Sequence, residues 1–172
     1  MADNKYLLLL IGSYAAGKTS FIERFVNGKC LKEFKTTNGI QFVETKKKIN
    51  NNICEISFLD SSGKEEYQPI INNYIKAADG LIFFFDLTNK NSLNFLEKRI
   101  NSIENIIKGI PAIIIGTKSD LKHKLKEKIK FNYFYYEVSI YDKNNFENPI
   151  SCLLNEINKK RIENKECQCS IY

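Results

Sequence analysis

A chain of 172 residues with 43% hydrophobic content is long enough to bury one core and too apolar to be disordered or fibrous. Its 26 basic and 20 acidic side chains leave a formal net charge of +6, concentrated at Lys46-Lys47-Lys48 and over residues 122–130. Such a surface suits anionic partners, but in a Lys- and Asn-rich chain it reads equally as a solvated face, and no nucleic-acid partner is expected. Five cysteines, an odd count without a signal peptide, argue against a disulfide framework and for a reducing compartment. No apolar run reaches the ~18 residues of a membrane span.

Residues 6–11 read as a fully buried strand, and residues 20–26 continue as a helix with Phe21, Ile22 and Phe25 at helical spacing. Between them stands Gly12-Ser13-Tyr14-Ala15-Ala16-Gly17-Lys18-Thr19, a G-x-x-x-x-G-K-[ST] match in the strand, turn and helix setting that the motif requires. Gly12 and Gly17 allow a tight turn that aims successive backbone N–H groups and a helix N-terminus at one anion. Lys18 adds a mobile charge for the outer phosphates, and Thr19 offers a hydroxyl to Mg²⁺. Further along, residues 41–49 and 53–59 flank Asn50-Asn51-Asn52 as a hairpin with a polar turn, which puts one antiparallel edge strand on the sheet.

Apolar runs at 80–86, 111–116 and 131–138 supply further strands. Residues 91–108 carry Leu93, Leu96, Ile100, Ile103 and Ile107 on one stripe, an amphipathic helix begun by Asn91 or Ser92 as cap. The segment 121–130 is short and lysine-dense, and His123 within it reads as a solvated loop residue. Asn148-Pro149 opens the last helix, with Ile150, Leu153, Leu154 and Ile157 on its buried stripe. Cys30, Cys54 and Cys152 are scattered and read as small core or near-surface residues. The alternation, without internal repeats, predicts a single α/β domain over residues 1–162: a mostly parallel six-stranded sheet with one antiparallel edge strand and helices on both faces. Residues 163–172 then form a short flexible tail.

A phosphate loop is shared by kinases, ATPases and GTPases, so the choice among them rests on the motifs further along the chain. Asp60-Ser61-Ser62-Gly63 comes directly after the run 53–59, where a P-loop enzyme places a Mg²⁺-side carboxylate and a γ-phosphate amide. Thr117-Lys118-Ser119-Asp120 comes after the apolar Ile113-Ile114-Ile115. A carboxylate there can accept hydrogen bonds from the N1–H and the exocyclic amine of guanine, a pattern that adenine does not offer.

With these motifs in order, nearly the whole chain resembles a Ras-superfamily small GTPase, and within it most a Rab. Thr37-Asn38-Gly39-Ile40-Gln41-Phe42 is similar to the Rab switch I, and Asp60-Ser61-Ser62-Gly63-Lys64-Glu65-Glu66-Tyr67 to switch II. Tyr74-Ile75-Lys76-Ala77-Ala78-Asp79-Gly80-Leu81-Ile82, then Asp86-Leu87-Thr88, is close to the Rab pattern beyond switch II. The resemblance implies a P-loop G domain that binds GTP/GDP with Mg²⁺. Ser13, Tyr14, Ala15, Ala16, Gly17, Lys18, Thr19 and Ser20 would then surround the phosphates, with Lys18 on the β and γ groups. Thr19, Thr37 and Asp60 would serve the metal, Gly63 the γ-phosphate through its amide, and Phe34 the edge of the base. Thr117, Lys118, Asp120 and Leu121, with Ser139, Ile140 and Tyr141, would hold the guanine. Lys18, Thr37, Gly63 and position 64 would be the catalytic set.

Departures from the family pattern carry their own expectations. Lys64 stands where a glutamine orients the attacking water; lysine has no acceptor, so slow intrinsic hydrolysis is expected. Tyr14 and Ala15 stand in the phosphate loop where small residues, often Ser or Gly, are usual, and the phenol ring of Tyr14 would crowd the space through which an activating protein's finger enters. Cys30 replaces the aromatic residue that usually packs across the guanine edge, which speeds exchange unless Phe34 folds in. Thr117 replaces an asparagine, and Ile140-Tyr141 a small residue and a lysine. Leu59 replaces the tryptophan of the Rab aromatic triad, with Phe42 and Tyr74 kept. The helix before the last strand is expected to be reduced or absent.

Cys167-Gln168-Cys169 resembles the paired-cysteine tail that receives geranylgeranyl groups, and Cys169-Ser170-Ile171-Tyr172 also fits an unusual C-a-a-X box. Lys159-Lys160-Arg161 upstream would add attraction to an anionic leaflet. The resemblance thus implies a monomeric cytoplasmic switch in vesicle trafficking, reversibly attached through Cys167 and Cys169 to the cytosolic face of an intracellular membrane. Its partners would be effectors, an exchange factor and a GTPase-activating protein at switches I and II, together with Rab-type prenylation and membrane-extraction machinery. A GTP-locked scaffold without useful turnover is the alternative that Lys64 and Tyr14 favour.

Overall fold

The apolar runs become β1 (Lys5–Gly12), β2 (Ile40–Ile49), β3 (Asn52–Ser61), β4 (Gly80–Asp86), β5 (Ala112–Thr117) and β6 (Phe134–Val138). Between and after them come α1 (Lys18–Asn27), α2 (Gln68–Ile75), α3 (Lys90–Ile107) and α4 (Asn148–Cys169). The computed structural model describes residues 4–29, 36–122, 132–142 and 146–169. Cys30, Phe34, residues 123–130 of the lysine-dense segment with His123, and the expected loss of a helix before β6 fall outside them, as do the side chains of Gln168 and Cys169.

The strands form one six-stranded sheet in the order β2-β3-β1-β4-β5-β6. Every neighbouring pair is parallel except β2 with β3, the expected antiparallel edge. In that hairpin Ile49 pairs with Asn52, so the turn is Asn50-Asn51 alone. Their φ values of 49° and 67° put both in the left-handed region that a tight hairpin turn demands and that asparagine tolerates.

Strand pleating sends alternate residues to opposite faces, and two cores result. Leu8, Leu10, Phe58, Ile82, Phe84 and Ile115 face α1 and α4; Leu9, Leu59, Leu81, Phe83, Phe85 and Ile114 face α2 and α3. All residues of β4 are buried, which fits a central parallel strand covered on both sides. A Cβ at Gly80 would lie 2.9 Å from Ile157 Cδ1, so a residue without a side chain is what lets α4 settle onto the sheet.

Two local expectations are corrected. The cap of α3 is Asn89, extended at φ −133°, whose side chain accepts from the Asn91 N–H at 3.0 Å. Ser92 instead turns inward, accepting from the Asp86 N–H at 3.0 Å. Switch II ends in a 3₁₀ turn at Glu65–Tyr67, and the short α2, with proline in its first turn, follows directly. Finally, α4 continues to Cys169, so the flexible tail expected from residue 163 is helical to that point. Residues 162–169 contain no glycine or proline, and Arg161 fixes the preceding turn by an ion pair to Asp79 at 2.7 Å. The reach of 162–169 is therefore about 12 Å of helix rather than an extended strand of chain.

Candidate functional site

The C-terminal ends of β1, β3, β4 and β5 deliver Gly12, Ser61, Asp86 and Thr117 to one edge of the sheet, where open α/β folds bind ligands. Gly12 is held there by close approach: a Cβ would lie 2.4 Å from the Phe84 carbonyl oxygen. After it, Ala15 (φ 57°) and Gly17 (φ 88°) are left-handed, which wraps the loop into a cradle. An alanine in that conformation is strained by roughly 1–2 kcal/mol. The α1 cap, Gly17, makes no side-chain cap hydrogen bond, so the first-turn N–H groups of Lys18, Thr19 and Ser20 point into the cradle without a competing partner from the cap.

Lys18 is 6% exposed and donates to the carbonyl oxygens of Gly12 and Ser13, both at 2.9 Å. Burial pushes its pKa down to about 8 against the attraction of Asp60. Asp60 is 1% exposed, and its Oδ2 accepts from Thr19 Oγ1 at 2.6 Å and from Thr37 Oγ1 at 3.4 Å; the two hydroxyls are 3.0 Å apart. Burial raises the Asp60 pKa, and the hydroxyls and Lys18 only partly reverse it. Asp60 Oδ1 is buried without a partner among the described residues. A carboxylate with an orphaned oxygen beside two hydroxyls is a hard-oxygen donor set that fits Mg²⁺. The three residues expected at the metal are therefore together.

Switch II closes on this cradle. A Cβ at Gly63 would come within 2.1 Å of the Tyr14 nitrogen and 2.3 Å of the Ser13 carbonyl carbon, so backbone meets backbone there. The Ser62 N–H donates to Gly39 O at 2.8 Å, and Ser61 Oγ donates to Leu10 O. Tyr14 is 50% exposed and its hydroxyl lies 3.4 Å from Thr36 Oγ1, spanning from the phosphate loop to switch I. Lys64 is turned away: its ammonium is 3.8 Å from Glu66 and its side chain is 43% exposed. The cleft lined by Tyr14, Ala15, Ala16, Gly17, Thr37 and Gly63 has a volume of about 30 Å³.

At the other end, Lys118, Asp120, Leu121, Ile140 and Tyr141 surround a pocket of about 280 Å³, with Phe21 and Val138 behind. Thr117 joins the ends: its buried Oγ1 donates to Ala16 O at 2.9 Å and to Phe85 O at 3.1 Å. Lys118, left-handed at φ 62°, reaches Asp86 Oδ2 at 2.5 Å. Burial opposes ionisation of Asp86, yet Lys118 and two hydrogen bonds from Thr88 hold its carboxyl below the ordinary value. Ser139 is 3% exposed; its Oγ accepts from the Tyr141 N–H at 3.1 Å, shaping the last loop.

Several structural contributors were missed in the sequence. Ser92 links to Ser13 Oγ at 2.7 Å, Asp86 anchors Lys118, and Thr36 meets Tyr14. Ser92 carried a helix-cap signal instead, and Asp86 only a place in the family pattern. Thr36 carried none, because its role depends on the unusual Tyr14.

Residues 7–159 match the Ras family as a whole. Among curated relatives, the Ras-related protein RABA1a of Arabidopsis thaliana is 29% identical over 170 residues, covering 91% of this chain and 77% of that protein. The Ras-related protein Rab-11B of Dictyostelium discoideum is 28% identical over 167 residues, covering 92% and 76%. The human EF-hand calcium-binding domain-containing protein 4B is 28% identical over 152 residues, of which this chain spans only 21% of the length. A family match over most of the chain, Rab-type relatives and a cradle, donor set and base pocket in matching order converge on one conclusion: the chain belongs to the Ras family and is a small GTPase resembling the Rabs.

Proposed function

We propose that this protein is a Rab-like guanine-nucleotide switch that hydrolyses GTP slowly and acts on a membrane through a lipidated C-terminus. The observation that carries the slow step is Lys64. It is next to Gly63, the residue in contact with the phosphate loop, yet its ammonium pairs with Glu66 and it offers no acceptor to a water. Lys18 would lie on the β and γ phosphates, Thr19, Thr37 and Asp60 would hold Mg²⁺, and Asp120 with the 139–141 loop would take the guanine. Mg²⁺ would neutralise charge on the phosphates, and the protein groups supply positioning and electrostatics. Loss of the water-orienting amide then slows turnover while leaving binding intact.

Tyr14 supports the view that stimulated turnover is also restricted, since its ring stands over the entrance and its hydroxyl reaches Thr36. That same residue favours the second reading, a GTP-held scaffold. For the anchor, Cys167 is exposed near the end of α4. Lys159 and Arg161 add less to membrane attraction than their charge suggests, because they are paired with Glu156 and Asp79, while Lys160, bonded to the Gly109 carbonyl, keeps its charge uncompensated by that contact. Among the described residues no helix is long and apolar enough to cross a membrane.

Single-turnover conversion of bound GTP tests the reading. Slow hydrolysis, quickened at least tenfold in Lys64→Gln, is the expected outcome; no conversion in either protein with GTP retained favours the scaffold.

A further inference from the structure

Among the described residues, the buried side-chain atoms without a hydrogen-bond partner are Asp60 Oδ1, Gln68 Oε1 and Arg99 Nε. The first belongs to the site above. The other two sit on α2 and α3, the helices that pack side by side beneath switch II. Arg99 is on the inward stripe of α3 with Leu96 and Ile103 and is 8% exposed. Its Nη2 donates to Asn72 Oδ1 of α2 at 2.5 Å. Among the described residues no carboxylate offsets the effect of burial, which lowers its pKa. A buried guanidinium resting on one neutral amide is an unfavourable arrangement if stability is its only purpose.

Gln68 stands four residues before Asn72, on the same face of α2 and one turn nearer its N-terminus. Its Nε2 donates to the Lys64 carbonyl at 3.4 Å, while its Oε1 has no donor. Gln68 thus carries an unpaired acceptor one helical turn along α2 from Asn72, the partner of a guanidinium whose Nε is an unpaired donor. The acceptor is tied directly to switch II.

We propose that Arg99 is a positioning residue for switch II, whose guanidinium exchanges between Asn72 and Gln68 as α2 shifts against α3. In the present arrangement Asn72 is the partner. In the other, Gln68 Oε1 accepts from Arg99 Nε while Asn72 Oδ1 gives up its donor, so one hydrogen bond replaces another and the two packings stay close in free energy. Two discrete hydrogen-bonded settings, rather than a continuum, let a small displacement of Gly63 be amplified into a shift of the helix behind it. The proposal rests on the nucleotide-switch reading.

The test compares affinities of the full chain for fluorescent GDP and fluorescent GppNHp, each with Mg²⁺, in wild type, Arg99→Met, Arg99→Lys, Gln68→Met and Asn72→Leu. Arg99→Met is expected to change the GppNHp-to-GDP affinity ratio by roughly fivefold or more. Gln68→Met and Asn72→Leu move that ratio in opposite directions, and Gln68→Met adds nothing on top of Arg99→Met. Arg99→Lys, which keeps the charge but not the fork of donors, recovers only part of the ratio. Should Arg99→Met not fold, the opposite shifts in the two α2 variants carry the test. A ratio unchanged in every variant, or equal losses for both nucleotides, overturns the proposal and leaves the switch reading intact. Failure of wild type to bind either nucleotide overturns the switch reading, and this one with it.

Discussion

At the phosphate end of the cleft, Ala16, Lys18 and Asp60 are almost fully buried, and the Lys18 ammonium is held by two backbone carbonyls. At the base end, Asp120 is exposed, Leu121 and Tyr141 are 51% and 68% exposed, and the walls come from separate loops. The phosphate half is thus a rigid, desolvated cradle, while the base half is assembled by loops that meet at their tips. Departures from the family pattern occur in both halves, at Tyr14, Ala15 and Lys64 by the phosphates and at Thr117, Ile140 and Tyr141 by the base, and they spare Gly12, Gly17, Lys18 and Gly63. Close backbone approach at Gly12 and Gly63 leaves no room for a side chain there.

If affinity resides in the cradle, Lys18→Ala should have the largest effect. Charge-assisted hydrogen bonds contribute about 1.5–3 kcal/mol each, so losing those to the β and γ phosphates should weaken GppNHp binding by roughly 100-fold or more in a fluorescence titration. Asp120→Ala comes next: guanine nucleotide should bind about 10- to 100-fold less tightly and its preference over ATP should vanish. A larger loss at Asp120 than at Lys18 would reverse the comparison.

Thr117→Val probes the joint between the two halves. It leaves the carbonyls of Ala16 and Phe85 without the donor they share, which should cost about 1–3 kcal/mol in urea unfolding and loosen both ends together. The smallest expected effect is the pH dependence of the Asp86 contact with Lys118. Since the folded carboxyl titrates below its ordinary 3.8, its contribution is complete above that value and fades as pH falls through the folded pKa. Melting curves of wild type and Asp86→Asn should therefore differ at neutral pH and converge in acid.

Much of this was legible in the chain because the signals are short-range. The phosphate loop declares itself by the spacing of Gly12, Gly17 and Lys18 between an apolar run and a helical stripe, and β4 by an unbroken run of apolar residues. Even the hairpin turn could be read from consecutive asparagines. Less legible was anything set by a choice among local options: Asn89, Asn91 and Ser92 all carry cap chemistry, and only the path of the chain out of β4 selects Asn89 and frees Ser92 to meet Ser13.

What the sequence by itself determined is the run of strands, the cradle and the order of the motifs along the chain, because each depends on residues a few positions apart. Only the tertiary structure decided which way Lys64 points, that Tyr14 meets Thr36, that α4 runs on to Cys169, and that Arg99 lies buried against Asn72. Those outcomes join groups far apart in the chain or depend on side-chain direction, and their free energies arise from burial and pairing that no local pattern encodes.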